Sequence, residues 1–387
     1  MSDREDDPRA VAGHGSDVLG HGDDVSADPE SGQVAPARRG VGRRDLFTAA
    51  GAAVVGGAAG WGLAGLVDRD DESEPTPAAS DSPSLPSADL VSGITHPAVP
   101  QRHMLVTVLD VDLEPDALLE AVRNASAGEH SDDSGVVTVT FGFSPEAARA
   151  LWPDRATADM TVPSFAGDTA HIRSGGDLSV QVCAETAAAV SDATAVIVQA
   201  LGQATVRWQA AGSRDAPTPE GTTRTSAGFI DGIANPRTAE ELAEGVWTGD
   251  SRDTYVVYRR MSIDRAFLSL SHGDQEAAIG RRRDTGAPLS GGDTMDDIDL
   301  FAKSDDGRRL VPNEAHARRA HPANLGLALM LRRSYSYAAP TGPGVMFTAF
   351  MNDPQTFVAT QRRLDEQDAF IAHTSTDAGG MFFVPAL

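Results

Sequence analysis

Lysine and cysteine are almost missing from this 387-residue chain, which has one of each, Lys303 and Cys183. A single cysteine excludes an intrachain disulfide. With no CxxC pair or Cys/His array, nothing in the spacing suggests a structural zinc site or an iron–sulfur cluster. Cys183 lies in the alternating run Leu178–Cys183 and reads as a small buried hydrophobe. Positive charge is also scarce: 32 Lys and Arg stand against 56 Asp and Glu, for a formal net charge of −24. Such a field repels phosphate backbones and anionic membrane surfaces, and no basic run opposes it, so nucleic acid is not expected as a partner. Aromatic residues are only 5% of the chain, but hydrophobic residues reach 41%, enough for a sizeable core. The length predicts two domains, or one domain of two similar halves.

Residues 1–42 are rich in Asp, Gly and Pro, carry no hydrophobic period and read as a disordered leader. Gly42-Arg43-Arg44-Asp45-Leu46-Phe47 then precedes an uncharged Ala/Gly-rich run, 48–67, and the polar Asp68-Arg69-Asp70-Asp71. This is the layout of a signal peptide, and the paired arginines suggest the twin-arginine route. A run of that length could also anchor the chain permanently, but so many glycines and alanines make a poor spanning helix. The expectation is therefore export, with the mature protein outside the cytoplasm. A leader and signal over 1–71 are followed by a Pro/Ser-rich linker over 72–96.

Two halves follow, 97–215 and 216–387. In the first, strands are expected over His103–Val111, Val136–Phe143, Leu178–Ala184 and Thr205–Ala211. Helices are expected from the Ser-Pro-Glu signal at Ser144 and over Pro115–Ala127 and Thr186–Leu201. That order matches a ferredoxin-like split βαβ unit. The second half reads similarly, with strands Thr254–Met261, Leu327–Tyr337, Val345–Met351 and Met381–Pro385, and helices Gln275–Arg283 and Gln355–His373. A Gly/Asp-rich insertion separates Arg283 from Asn313. The fold class is α+β: two ferredoxin-like halves with antiparallel sheets around one core.

Two clusters could carry chemistry. In Gly228-Phe229-Ile230-Asp231-Gly232-Ile233-Ala234-Asn235-Pro236 the flanking glycines permit tight turns that could aim the Asp231 carboxylate into a cavity, although an Asp between glycines is often only a turn former. In Glu314-Ala315-His316-Ala317-Arg318-Arg319-Ala320-His321-Pro322, with Leu329-Met330-Leu331-Arg332-Arg333-Ser334-Tyr335-Ser336-Tyr337, two adjacent arginines sit in an apolar strand. An inward guanidinium would need an anionic partner, whereas an edge strand would leave both solvated. Trp208, Tyr335 and Tyr337 read as core or pocket residues rather than surface oxidation sites.

Together these clusters resemble DyP-type haem peroxidases. GFIDGIANP is similar to that family's GxxDG signature, and AHARRAHP…LMLRRSYSY to its ligand histidine and distal arginine. Ile279-Gly280-Arg281, Asp284–Leu289, Gln361–Leu364 and Val206–Gln209 match further motifs in order, so the resemblance spans roughly 103–385. It is strongest to the twin-arginine-exported bacterial branch, some members of which are described as deferrochelatases.

The resemblance implies one haem b per chain. It implies His316 as the proximal iron ligand, Asp231 as the distal acid/base, Arg332 as the distal arginine and Arg281 near a haem propionate. Asn235 joins the cofactor-binding set, as do Phe347 and Phe350 at the haem wall, though core packing explains the two phenylalanines equally well. Two departures stand out. Ala317 replaces the usual branched residue after the ligand, and His321, a second possible ligand, stands where asparagine is common. The carboxylate expected behind His316 is Asp365, or failing it Asp368. The implied reaction uses H2O2 to oxidise bulky aromatic donors. The alternatives are a haem-handling deferrochelatase and, from another class, a haem-free extracytoplasmic binding module. Homo-oligomerisation and the start codon are left open.

Overall fold

The computed structural model describes residues 90–387, apart from 127–130, 133–134 and 340–341. The expected leader, signal segment and most of the linker lie outside the described residues. Among the described residues no helix is long and apolar enough to cross a membrane.

Strand β1 (His103–Val111) alternates between two apolar environments. Leu109 and Val111 join one core cluster, while Met104, Val106 and Val108 join another. The period of two in the sequence thus becomes two buried faces. The half continues through α1 (Pro115–Ser126), a small hairpin of β2 (Ser131–Asp132) and β3 (Gly135–Val136), β4 (Thr138–Phe143) and α2 (Pro145–Leu151). It ends with β5 (Asp168–Ser174), β6 (Leu178–Ala184), α3 (Ala187–Ala200) and β7 (Ala204–Ser213). The helix starts follow their cap residues: Ser144 Oγ accepts from Ala147 N at 3.2 Å and Thr186 Oγ1 from Ala189 N at 3.2 Å. Strands pair antiparallel in the order β7, β1, β6, β4, the arrangement of a ferredoxin-like half.

In the second half β8 (Thr223–Arg224) and β9 (Ile230–Asp231) form a separate two-stranded ladder. Then come α4 (Ala239–Gly245), β10 (Thr254–Ile263), α5 (Arg265–Ser269), α6 (His272–Ile279) and α7 (His316–Arg319). The chain closes with β11 (Leu331–Arg332), β12 (Tyr335–Ala339), β13 (Gly342–Met351), α8 (Pro354–Gln367) and β14 (Thr374–Val384). The order β14, β10, β13, β12 repeats that of the first half. Met104, Cys183 and Trp208 of one sheet share a cluster with Val256, Tyr258, Phe350 and Phe382 of the other. The facing sheets meet at both edges, Ser213 with Ser336 and Phe143 with Phe383, so the ladder closes on itself. Cys183 and Trp208 are buried here, as expected, and so is Tyr335, while Tyr337 is half-buried.

Four expectations need correction. The folded region starts before residue 97: Ile94 is buried and its carbonyl accepts from Arg333 Nη1 at 2.7 Å. The single strand expected over Leu327–Tyr337 is two short strands broken at Arg333-Ser334. The helix read as Gln275–Arg283 is His272–Ile279, ended by Gly280 at φ +91°. The C-terminal helix stops at Gln367 instead of running to His373, because Asp368 begins a turn in which its Oδ1 accepts from the N–H groups of Phe370 and Ile371. Strand β5, polar and mostly exposed or half-exposed, adds parallel to the edge of β14 and carries no apolar alternation by which to foresee it.

Candidate active site

Asp231 ends the β8–β9 ladder, where it is register partner to Thr223. Gly228 and Gly232 bracket it at φ +86° and +90°, so both expected turns require backbone that side chains rarely adopt. They hold Asp231 half-buried, with Oδ1 3.4 Å from Arg332 Nη2. Arg332 is steadied elsewhere: Nη1 donates to Ala234 O at 3.0 Å, and Asn235 grips its backbone with two hydrogen bonds, Nδ2 to the carbonyl at 2.8 Å and Oδ1 from the N–H at 3.0 Å. The structure thus brings Arg332 to Asp231 and Asn235, about a hundred residues earlier in the chain.

Of the two adjacent arginines, Arg333 is the fully inward one. It meets carbonyls, Ile94 O at 2.7 Å and Pro97 O at 2.8 Å, instead of the anion that burial alone suggested. Burial pushes its pKa down from the usual arginine value. Arg332 is only part-buried and keeps its guanidinium on the side of Asp231.

His316 opens the one-turn helix α7, which rests on a small cluster of Ile298, Val311 and Ala315, with Ala317 against it. Its Nδ1 lies 2.9 Å from Oδ2 of Asp368, a carboxylate wholly shielded from solvent. A carboxylate there fixes the proton on Nδ1 and leaves Nε2 as the lone-pair nitrogen. Nε2 has no hydrogen-bond partner among the described residues, and the side chain is 32% exposed. Phe370 packs edge-on against the imidazole at 5.5 Å between ring centres. Arg319, from the same turn, is bound to the Arg363 carbonyl and to Glu366, while Arg363 Nε returns a bond to Arg319 O at 3.2 Å. This clasp ties α7 to α8, the helix that ends at Asp368.

Asp365 is therefore not the carboxylate behind the histidine. One turn earlier on α8, its oxygens take Ala166 N and Gln361 Nε2, both at 2.9 Å. His321 is likewise committed elsewhere. Nε2 lies 3.0 Å from Asp297 and Nδ1 accepts from Ala323 N at 3.2 Å, so neither nitrogen is spare. The His321 hydrogen bond, opposed by burial, holds the Asp297 carboxyl below its ordinary range.

Arg281 organises the 283–313 insertion: Nη1 donates to Gly286 O and Thr294 O, Nη2 to Asp296 O at 3.0 Å. No carboxylate lies within ion-pair distance among the described residues, and burial lowers its pKa. Phe350 is wholly buried in the inter-sheet core and is a packing residue. Phe347 is half-buried between two clusters and 6.0 Å from the Phe357 ring. Among the described residues no group of three or more His, Cys, Asp or Glu could hold a bare metal ion. The donor set would instead suit a metal carried in a prosthetic group: one imidazole nitrogen, fixed by a buried carboxylate, and a separate acid–guanidinium pair.

Comparisons with known proteins point to one family. The family models described as Dyp-type peroxidase, N-terminal and C-terminal, match residues 92–214 and 222–387. The chain is similar to the dye-decolorizing peroxidase of Thermobifida fusca, 33% identical over 72% of this chain and 71% of that one. It is 29% identical to a deferrochelatase of Shigella flexneri over 54% of this chain and 55% of that protein. A DyP-type peroxidase from Streptomyces coelicolor superposes with a TM-score of 0.68 at 31% identity, covering 78% of this chain and 96% of that one.

Proposed function

The chain belongs to the Dyp-type peroxidase family and is a haem-dependent peroxidase; from that premise we propose that it oxidises bulky aromatic or dye-like donors with H2O2 outside the cytoplasm. The observation that carries the assignment of roles is His316, whose Nδ1 is held by buried Asp368 while Nε2 stays unpaired. In this reading His316 Nε2 and Arg281 would hold the haem, the first as a nitrogen ligand for iron and the second as the cation for a propionate. Asn235 acts on the site through Arg332 rather than by touching the cofactor. When bound, haem supplies the electrons that split the peroxide O–O bond.

Asp231 and Arg332 divide the remaining work. The Asp231 carboxylate takes the proton from one peroxide oxygen and returns it to the other as that oxygen departs. The guanidinium of Arg332 stabilises the negative charge growing there, and Asn235 fixes the backbone from which it reaches. A hydrogen bond from Nδ1 to Asp368 keeps the His316 lone pair on Nε2 and raises its donor strength. A Soret band that disappears in His316→Ala and persists in His321→Ala tests the ligand. Oxidised donor as the product supports peroxidase action, whereas release of intact porphyrin and iron would favour the deferrochelatase alternative. A haem-free module is excluded by the family.

The proposed route outward rests on Arg43-Arg44 ahead of the uncharged run 48–67 and on a chain that needs no disulfide. Replacing both arginines by lysine strands active protein in the cytoplasm if the route is right; unchanged export overturns it.

A further inference from the structure

Arg214 follows directly on β7, and its side chain is about nine-tenths buried. Among the described residues it forms no ion pair, its guanidinium donates no hydrogen bond, and Nη1 is sealed from solvent without a partner. Its close neighbour is the Tyr335 ring, 5.4 Å from the guanidinium carbon to the ring centre. Arg333 is a second buried cation near Tyr335, already satisfied by carbonyls. A desolvated guanidinium without an anion costs more than one cation–π contact returns. The fold therefore leaves a largely buried guanidinium charge that an added anion would offset.

Arg214 also lines a cavity of about 260 Å³. Its walls include Val99, Pro100 and Pro217, and its buried hydroxyls are those of Thr222 and Thr223. Arg102, Glu185 and Asp215, all exposed, also line it, and neither carboxylate pairs with Arg214. Charges in solvent are screened, so the buried cation sets the preference inside. The volume falls below the roughly 300–1,000 Å³ of drug-sized sites, which leaves room for a single ring. A carboxylate matches the guanidinium fork, and the apolar walls suit a ring better than an inorganic anion.

The geometry points to this cavity as a binding site for a small aromatic carboxylate, with its carboxylate on Arg214 and its ring against Val99 and Pro217. It is distinct from the peroxide site yet adjacent to it, since Thr223 is the register partner of Asp231. The inference does not depend on the peroxidase reading.

Calorimetric titration of the haem-loaded protein with benzoate tests it. Saturable benzoate binding is expected, with none for benzyl alcohol and weaker binding of inorganic phosphate. Arg214→Met should weaken benzoate at least tenfold and leave the haem spectrum unchanged; Arg332→Leu should bind benzoate as wild type does. Should Arg214→Met fail to fold, Arg214→Lys, which keeps the charge but loses the fork, is expected to bind severalfold more weakly. No saturation in wild type, equal affinity in the folded Arg214 variant, phosphate binding tighter than benzoate, or loss in Arg332→Leu instead would each overturn the proposal.

Discussion

Asn235 holds Arg332 by the backbone from both directions, donating to its carbonyl at 2.8 Å and accepting from its N–H at 3.0 Å. The side chain that meets Asp231 is thus positioned by a residue four places after Asp231 itself. Losing a part-buried pair of hydrogen bonds costs about 1–3 kcal/mol when a partner is left unsatisfied. Asn235→Ala is expected to slow the reaction with peroxide by about tenfold, ~1.4 kcal/mol of barrier, while haem content stays normal. Stopped-flow rates on haem-loaded protein check this; an unchanged rate would show that Arg332 does not need the clasp.

Asp368 sets the tautomer of His316, and an amide in its place cannot do so. In Asp368→Asn the Nδ2 group would face Nδ1, which must then accept, so the proton moves to Nε2 and blocks it as a ligand. Haem affinity should fall about 10–100-fold, the usual range for a ligand's supporting partner. Asp365→Asn should bind haem as wild type does. Haem transfer to an apo-globin acceptor measures both.

Asp297 and His321 give the insertion a dependence on acid. The Asp297 carboxyl is held below its ordinary value, chiefly by the His321 hydrogen bond. A depressed carboxylate pKa contributes stability that is present above the unfolded value of about 3.9 and is lost as pH falls through the folded value. The melting temperature of wild type should therefore exceed that of Asp297→Asn at pH 6, and the gap should close as pH drops below about 4. A gap independent of pH would mean that the pair is only a packing contact.

How far the sequence reveals this site depends on whether the signal is local. Asp231 was legible because the glycines needed for its turns flank it, and His316 and Arg332 because whole motifs carry them. Asp368 is less legible than Asp365: helical periodicity runs through it, and only its Asx-turn bonds to Phe370 and Ile371, which end α8 at Gln367, turn it toward His316. The sequence Asp-Ala-Phe-Ile after a polar helix end is the signal that could have found it. Arg333 shows the opposite limit. Its partners are carbonyls of residues 94 and 97, and a backbone carbonyl leaves no trace in side-chain chemistry. The two ferredoxin-like halves were readable from strand and helix order, whereas β5 and the closure of the sheets through Ser213–Ser336 and Phe143–Phe383 depend on edges that no alternation pattern records.

The central claim is that Asp231 and Arg332, 3.4 Å apart, act on peroxide together. Its most direct measurement is the second-order rate at which H2O2 changes the haem spectrum in wild type, Asp231→Asn and Arg332→Leu. Loss of charge stabilisation at the departing oxygen should slow Arg332→Leu by about a hundredfold, ~3 kcal/mol, and Asp231→Asn should be slower than wild type at every pH. Wild-type rates in both variants would contradict the account and return Asp231 to the role of a turn residue.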